Sequence, residues 1–428
     1  MISELEKQSI LEYLRSKHRR GNKRVKGQII TEVCERLSVG RKHAIKLLSP
    51  LTVGRPKKPV RRGRPGKYQD KAFQDSLRLM WTLTKELCGK RLKSAIPHWI
   101  EAVEEERGKF PTDIKVRLLK ISAPTIDRIL KPYKKRYGLS ATRGGGFRDE
   151  IPIQGNIWNI QVPGHMETDT VAHCGGSLSG EYANSVTMVD IATLWTEVRA
   201  VYGRGSNAVF DGIKDIEEHL PFPMEGYDAD NGGEVLNMQL YSYFVTERLS
   251  KGIKPVPVTR SRAYKKNDNA HVEQRNDSVA RKYLGYARID FQELIPLINH
   301  YYANLVCPFL NHFLPCFKLT DKVRVNSKTK RIYKIPVTPY QRIMESPFVS
   351  YENKKRLKEI HQLLNPVKLS RQIDNTRLLI DESMKRLKEG KSLPKNIPHY
   401  QFLNPLIPYN NTVSVFQIFH HAKALQLD

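Results

Sequence analysis

Near residue 160 the apolar spacing changes from helical to alternating, and that switch constrains the fold more than any other feature. HMETDTV, YANSVTMVD and TLWTEVRAVY follow one another, each rich in β-branched and aromatic residues and bounded by turn formers. Three strands in immediate succession predict an antiparallel meander. Next come a helical stretch over 207–220, a short strand PMEGYDAD, a helix over 235–250, a strand IKPVPV and a helix over 270–284. Strands separated by helices return parallel to a neighbour, so βββαβαβα predicts a mixed sheet.

This is the order of the ribonuclease H-like α/β fold. There, acids at mid-strand in the first strand, at the end of the fourth and on a later helix converge on one point. Two-metal phosphoryl transfer needs such a convergence, with ions about 3.5 to 4 Å apart flanking the attacking and leaving oxygens. The sequence has an acid at each station. Asp169 lies in the first strand; Glu167, two residues away, shares its face and is an equal candidate. Asp230 closes the fourth strand before the turn Asn231-Gly232-Gly233-Glu234, with Asp228 as its same-face rival. Glu273 falls in a first helical turn, after the cap candidates Asn267, Asp268 and Asn269. Asn276 and Asp277, three and four residues on, share its face. Asp190, ending the second strand, is read as structural.

Charge is unevenly distributed. The formal net charge is +28 over 428 residues, and residues 1–67 carry 19 Lys or Arg against 5 acids. Residues 151–250 run the other way, with 4 cations against 14 acids. So basic a chain gains affinity for polyanions by displacing counterions from phosphates, and nucleic acid is the expected partner. Within 251–288, ten Lys or Arg stand against three acids. Arg260, Arg262, Lys265, Lys266 and Arg275 are the expected phosphate-gripping rim, and Tyr264 a candidate for base stacking or packing.

The remaining segments give the domain plan. Residues 1–52 read as a helix-turn-helix DNA-binding domain, Ser38-Val39-Gly40 being the turn and Arg41, Lys42 and Lys46 lying on the second helix; a plain helical bundle fits the same pattern. Residues 53–69 form a basic linker whose Arg62-Gly63-Arg64-Pro65 is AT-hook-like. Residues 70–137 read as a second helix-turn-helix-like domain with Ser122 as N-cap, 138–160 as a connector, 161–310 as the core, and 311–428 as a basic C-terminal region with helices, broken at Asn365-Pro366, and an extended tail.

GHMETDTVAHCGG, YDADNGGE and TRSRAYKKNDNAHVEQRN, with LGYAR after it, resemble the integrase-type catalytic core of bacterial insertion-sequence DDE transposases, over roughly residues 160–290. Retroviral integrases are more distant kin. The resemblance implies that Asp169, Asp230 and Glu273 bind two Mg²⁺ ions, with Mn²⁺ substituting. The implied activity is cleavage of transposon-end DNA to a 3′-hydroxyl and its joining to target DNA, by a homodimer or larger assembly. The chain departs from integrases in the 42 residues between Asp230 and Glu273, and in lacking a zinc module: His18, Cys34, His43 and Cys88 have no suitable spacing. Alternatives are a catalytically silent DNA-binding regulator and a structure-specific nuclease. Five scattered cysteines without CxxC, no signal-peptide core and no long apolar run predict a soluble, cytoplasmic, nucleoid-associated protein without a membrane span.

Overall fold

Alternation of apolar residues along 165–202 produces the expected meander. In the computed structural model, β1 (His165–Ala172), β2 (Ala183–Asp190) and β3 (Thr196–Tyr202) pair antiparallel, with Asp169 opposite Thr187 and Thr187 opposite Val198. β4 (Gly226–Ala229) and β5 (Val258–Arg260) add in parallel, giving the order β3-β2-β1-β4-β5. The structure describes residues 4–49, 67–133, 160–229, 232–260, 272, 275–325, 328–395, 397, 398 and 400. Outside them lie Arg62, Arg64, Asp230, Arg262, Tyr264, Lys265, Lys266 and Glu273, with nearly all of the linker and connector and the tail from 401.

The strand expected over IKPVPV begins instead at Val258. Pro255 and Pro257 have no N–H to donate to a ladder, although the Pro257 carbonyl still accepts from Tyr227 N at 2.9 Å.

The five-stranded mixed sheet has helices on both faces, an α/β arrangement. Met166, Val186, Met188 and Val201 pack against Val209, Ile213 and Ile216 of the helix Ser206–Glu218. On the other face, Val198 and Ala200 share a core with Ile298, Tyr302 and Phe309 from the helical run 295–313. That run also seals the exposed edge of β3. Asn299 accepts from Ala200 N and donates to its carbonyl (2.6 and 2.9 Å); Asn311 does the same for Thr196 (2.9 Å each).

The chain divides into two compact units, 1–66 and 67–428. In the first, the helices Glu4–Arg20, Lys23–Leu37 and Arg41–Leu48 enclose Leu11, Leu14, Ile29, Val33, Ala44 and Leu48. Residues 38–40 join the last two, and Ser38 takes the left-handed conformation (φ 50°) that lets the chain reverse. In the second, the helices Lys71–Leu83, Gly89–Arg107, Thr112–Lys120 and Ala123–Leu130 join the same core as the sheet's helical layer and the helix Pro366–Lys388. Trp99 stands edge-on to Phe309 at 5.7 Å and donates Nε1–H to the Phe313 carbonyl at 3.1 Å. Asn365 caps the helix Pro366–Lys388 through Val367 N and Lys368 N. The basic stretch after residue 317 forms a separate two-stranded ribbon, β6 (Leu319–Val325) with β7 (Lys328–Tyr333).

Candidate functional site

Strand alternation places Glu167 and Asp169 on the sheet face away from the helix Ser206–Glu218, and the parallel pairing Glu167↔Asp228 puts Asp228 there too. One face therefore gathers carboxylates at the junction of β1 and β4. β4 ends at Ala229, paired with Thr168, and the next residues of the two strands in sequence are Asp230 and Asp169.

The three acids of this face differ in environment. Glu167 is 3% exposed, with Oε2 accepting from Val272 N at 3.1 Å. Asp228 is 5% exposed and accepts from Thr259 Oγ1 at 2.6 Å. Asp169 is only partly buried: Oδ1 accepts from Thr170 N at 2.7 Å and Oδ2 from Asn276 Nδ2 at 2.6 Å. Between the equal candidates Glu167 and Asp169, Asp169 is the one reachable by a ligand. Asp190 is wholly buried, accepting from Gly164 N (2.8 Å), Thr193 N (2.7 Å) and Thr193 Oγ1 (2.6 Å). Burial raises its pKa, and it staples the β2–β3 turn to the start of β1.

β1 also holds the segments that carry the other two motifs. Thr170 Oγ1 donates to Glu234 Oε1 at 3.3 Å, fastening the turn after Asp230; Glu167 and Asp169 hold Val272 and Asn276, which flank Glu273 in sequence. Asn276 was legible from its spacing to Glu273. The Thr170–Glu234 bond and the role of the Val272 amide carried no sequence signal beyond adjacency to the motifs. Among the described residues no three His, Cys, Asp or Glu side chains are close enough to hold a metal ion.

Of the five expected rim cations, Arg260 and Arg275 are among the described residues, and both are buried. Arg275 is 9% exposed and donates Nη2–H to the Leu194 carbonyl at 3.3 Å, and Arg260 is equally buried. Both face inward because their positions fall on the packed sides of the helix and of β5. Neither offers phosphate an open guanidinium. Arg41, Lys42 and Lys46 are exposed on the helix Arg41–Leu48, which buries Ala44 and Leu48. No described helix is long and apolar enough to cross a membrane.

No family model matches the chain. The uncharacterized protein y4rM of Sinorhizobium fredii is 32% identical over 351 residues, covering 80% of this chain and 96% of that protein. The chain belongs to the family of that protein. Among solved structures, a chain from the cryo-EM structure of a simian T-cell lymphotropic virus intasome, in complex with PP2A regulatory subunit B56 gamma, aligns at 14% identity. The alignment covers 55% of this chain and 86% of that one, with a TM-score of 0.26.

Proposed function

We propose that this member of the y4rM family is a DDE-type DNA transposase built on a ribonuclease H-like core, with Asp169, Asp230 and Glu273 as its acidic triad. The observation that carries the reading is the 2.6 Å bond from Asn276 Nδ2 to Asp169 Oδ2, which ties the helix following Glu273 to the middle strand of the sheet. The pairing Thr168↔Ala229, one residue before Asp169 and Asp230 on parallel strands, supports the second member.

The donors are all hard carboxylate oxygens, a set that suits Mg²⁺ or Mn²⁺. The partly exposed Asp169 leaves room for a ligand, whereas Glu167 and Asp228 are committed to Val272 N and Thr259. Asp169, Asp230 and Glu273 would hold the ions. When bound, these stabilise the attacking and leaving oxygens of an in-line displacement at phosphorus. Asn276 keeps the Asp169 carboxylate turned toward the helix, and Thr170 holds Glu234 so that the turn after Asp230 stays against β1. No serine, tyrosine or cysteine nucleophile is needed. The helical unit 1–66 is a helix-turn-helix module presenting Arg41, Lys42 and Lys46 to DNA, and the protein works as a homodimer or larger assembly on its two ends.

The test is strand transfer of a pre-cut, labelled end duplex, chosen from the repeats flanking the gene, into plasmid DNA with Mg²⁺ or Mn²⁺. Joined product from wild type that vanishes in Asp230→Asn and Glu273→Gln supports the triad and the activity. Nicking without joining turns the reading to a nuclease. Binding with neither turns it to a regulator.

A further inference from the structure

The ribbon β6–β7 does not extend the five-stranded sheet. Among the described residues its two strands pack chiefly on each other. Isolated two-stranded ribbons are marginal in water, and this one has a further handicap. Its register sets Lys322 opposite Arg331, and Arg324 opposite Thr329 next along the same face. Residues 318–334 hold seven Lys or Arg (Lys318, Lys322, Arg324, Lys328, Lys330, Arg331, Lys334) against Asp321 alone. Like charges at opposed register positions of a ladder cost stability.

The base of the ribbon is firmly held. Cys316 bridges Val337, Phe317 and Tyr333 pack at 5.7 Å, and Arg342 donates to the carbonyls of Thr193 (3.1 Å) and Cys316 (2.6 Å). Cys316 also shares an apolar cluster with Val189, Leu194 and Val272. The ribbon is thus rooted beside the segment that leads into Glu273 in sequence.

We infer that β6–β7 is a DNA-docking ribbon whose Lys322, Arg324 and Arg331 face meets the phosphates lining a duplex groove. A major groove of B-form DNA admits a two-stranded ribbon, whereas the deep, narrow major groove of A-form RNA does not. Phosphates between the strands' cations turn the Lys322–Arg331 opposition from a cost into a binding feature. The inference rests on the reading that the substrate is DNA, and the two can fail separately.

The full-length chain is titrated onto a fluorescent duplex of about three helical turns at salt concentrations between about 50 and 200 mM. The variant combines Lys322→Gln, Arg324→Gln and Arg331→Gln. Each phosphate contact contributes about 0.9 to the slope of log affinity against log salt, so the variant should lose about 2 to 3 from that slope, and at least tenfold in affinity at the low-salt end. Removal of the like-charge pair should leave its melting temperature equal to or above that of wild type. Wild-type binding with an unaltered slope in the variant overturns the ribbon and leaves the DNA reading standing. Absence of duplex binding in wild type overturns both. As a check that does not depend on the variant's folding, Thr329→Cys carrying a photo-crosslinker should crosslink to duplex DNA; no crosslink under saturating binding overturns the ribbon.

Discussion

On the proposed reading, the Asp169–Asn276 bond makes Asn276 a positioning residue with a measurable consequence. Residues that orient a metal-binding carboxylate typically contribute 10 to 100-fold to metal affinity. Asn276→Ala should therefore raise the half-saturating Mn²⁺ concentration by about that factor while joining at saturating metal largely recovers; an unchanged metal requirement would make the bond merely structural. Two buried histidines predict a second residue-scale effect. His173, beside Ser185 Oγ at 2.7 Å, has its pKa lowered to about 3, by burial first and then by Arg281 and Arg377. His312, beside His361 at 3.1 Å, is likewise lowered to about 3, by burial and then by that neighbour. In the unfolded chain each takes up a proton near pH 6.5. Stability is thus complete above that pH and falls as pH drops through it toward 3. At pH 5 the loss is about 2 kcal/mol per histidine. Denaturant midpoints at pH 7.5 and 5 should differ accordingly, and His312→Gln should lose about half of the difference.

At the scale of elements, β3 depends on two asparagines to close its edge. Asn299 and Asn311 are buried and each satisfies both backbone groups of one strand residue. Replacing either by alanine strands a buried N–H and C=O, at about 1 to 3 kcal/mol for each unsatisfied group. Asn311→Ala should cost about 2 to 6 kcal/mol in chemical denaturation; a loss below about 1 would mean water takes over the edge. Neither role was visible in the sequence, because a single asparagine in a helical pattern carries no trace of the strand it meets. The meander and the helix break at Asn365-Pro366 were legible, since each is written in local periodicity or in a backbone constraint. β5 was displaced by prolines whose effect on a ladder is local and readable. The ribbon stands in the sequence only as a basic stretch: Lys322-Val323-Arg324-Val325 alternates, but Lys328-Thr329-Lys330-Arg331 offers no apolar partner face to match it. Arg260 and Arg275 show the limit for the site, because charge counts cannot say whether a guanidinium faces water or a carbonyl such as that of Leu194.

Across the whole molecule, the charge map and the division into two units bear on the same property. Residues 1–67 hold a net +14 of the total +28, leaving +14 on the rest even though 151–250 is acidic. The units 1–66 and 67–428 have separate cores: six buried apolar residues close the first, and none of them belongs to the clusters of the second. Removing residues 1–66 should therefore leave the thermal transition of the remainder unchanged while lowering, but not abolishing, its affinity for duplex DNA. The salt slope should fall by several, each lost phosphate contact being worth about 0.9, and what remains should come from the second unit, including the ribbon. Adding the ribbon substitutions to the truncated chain should then remove a further 2 to 3, because sites on separate bodies contribute additively. A truncated protein that melts earlier would mean that the first unit braces the second. Affinity that disappears altogether on truncation would assign DNA binding wholly to the first unit, and leave the +14 of residues 68–428 serving some end other than phosphate contact.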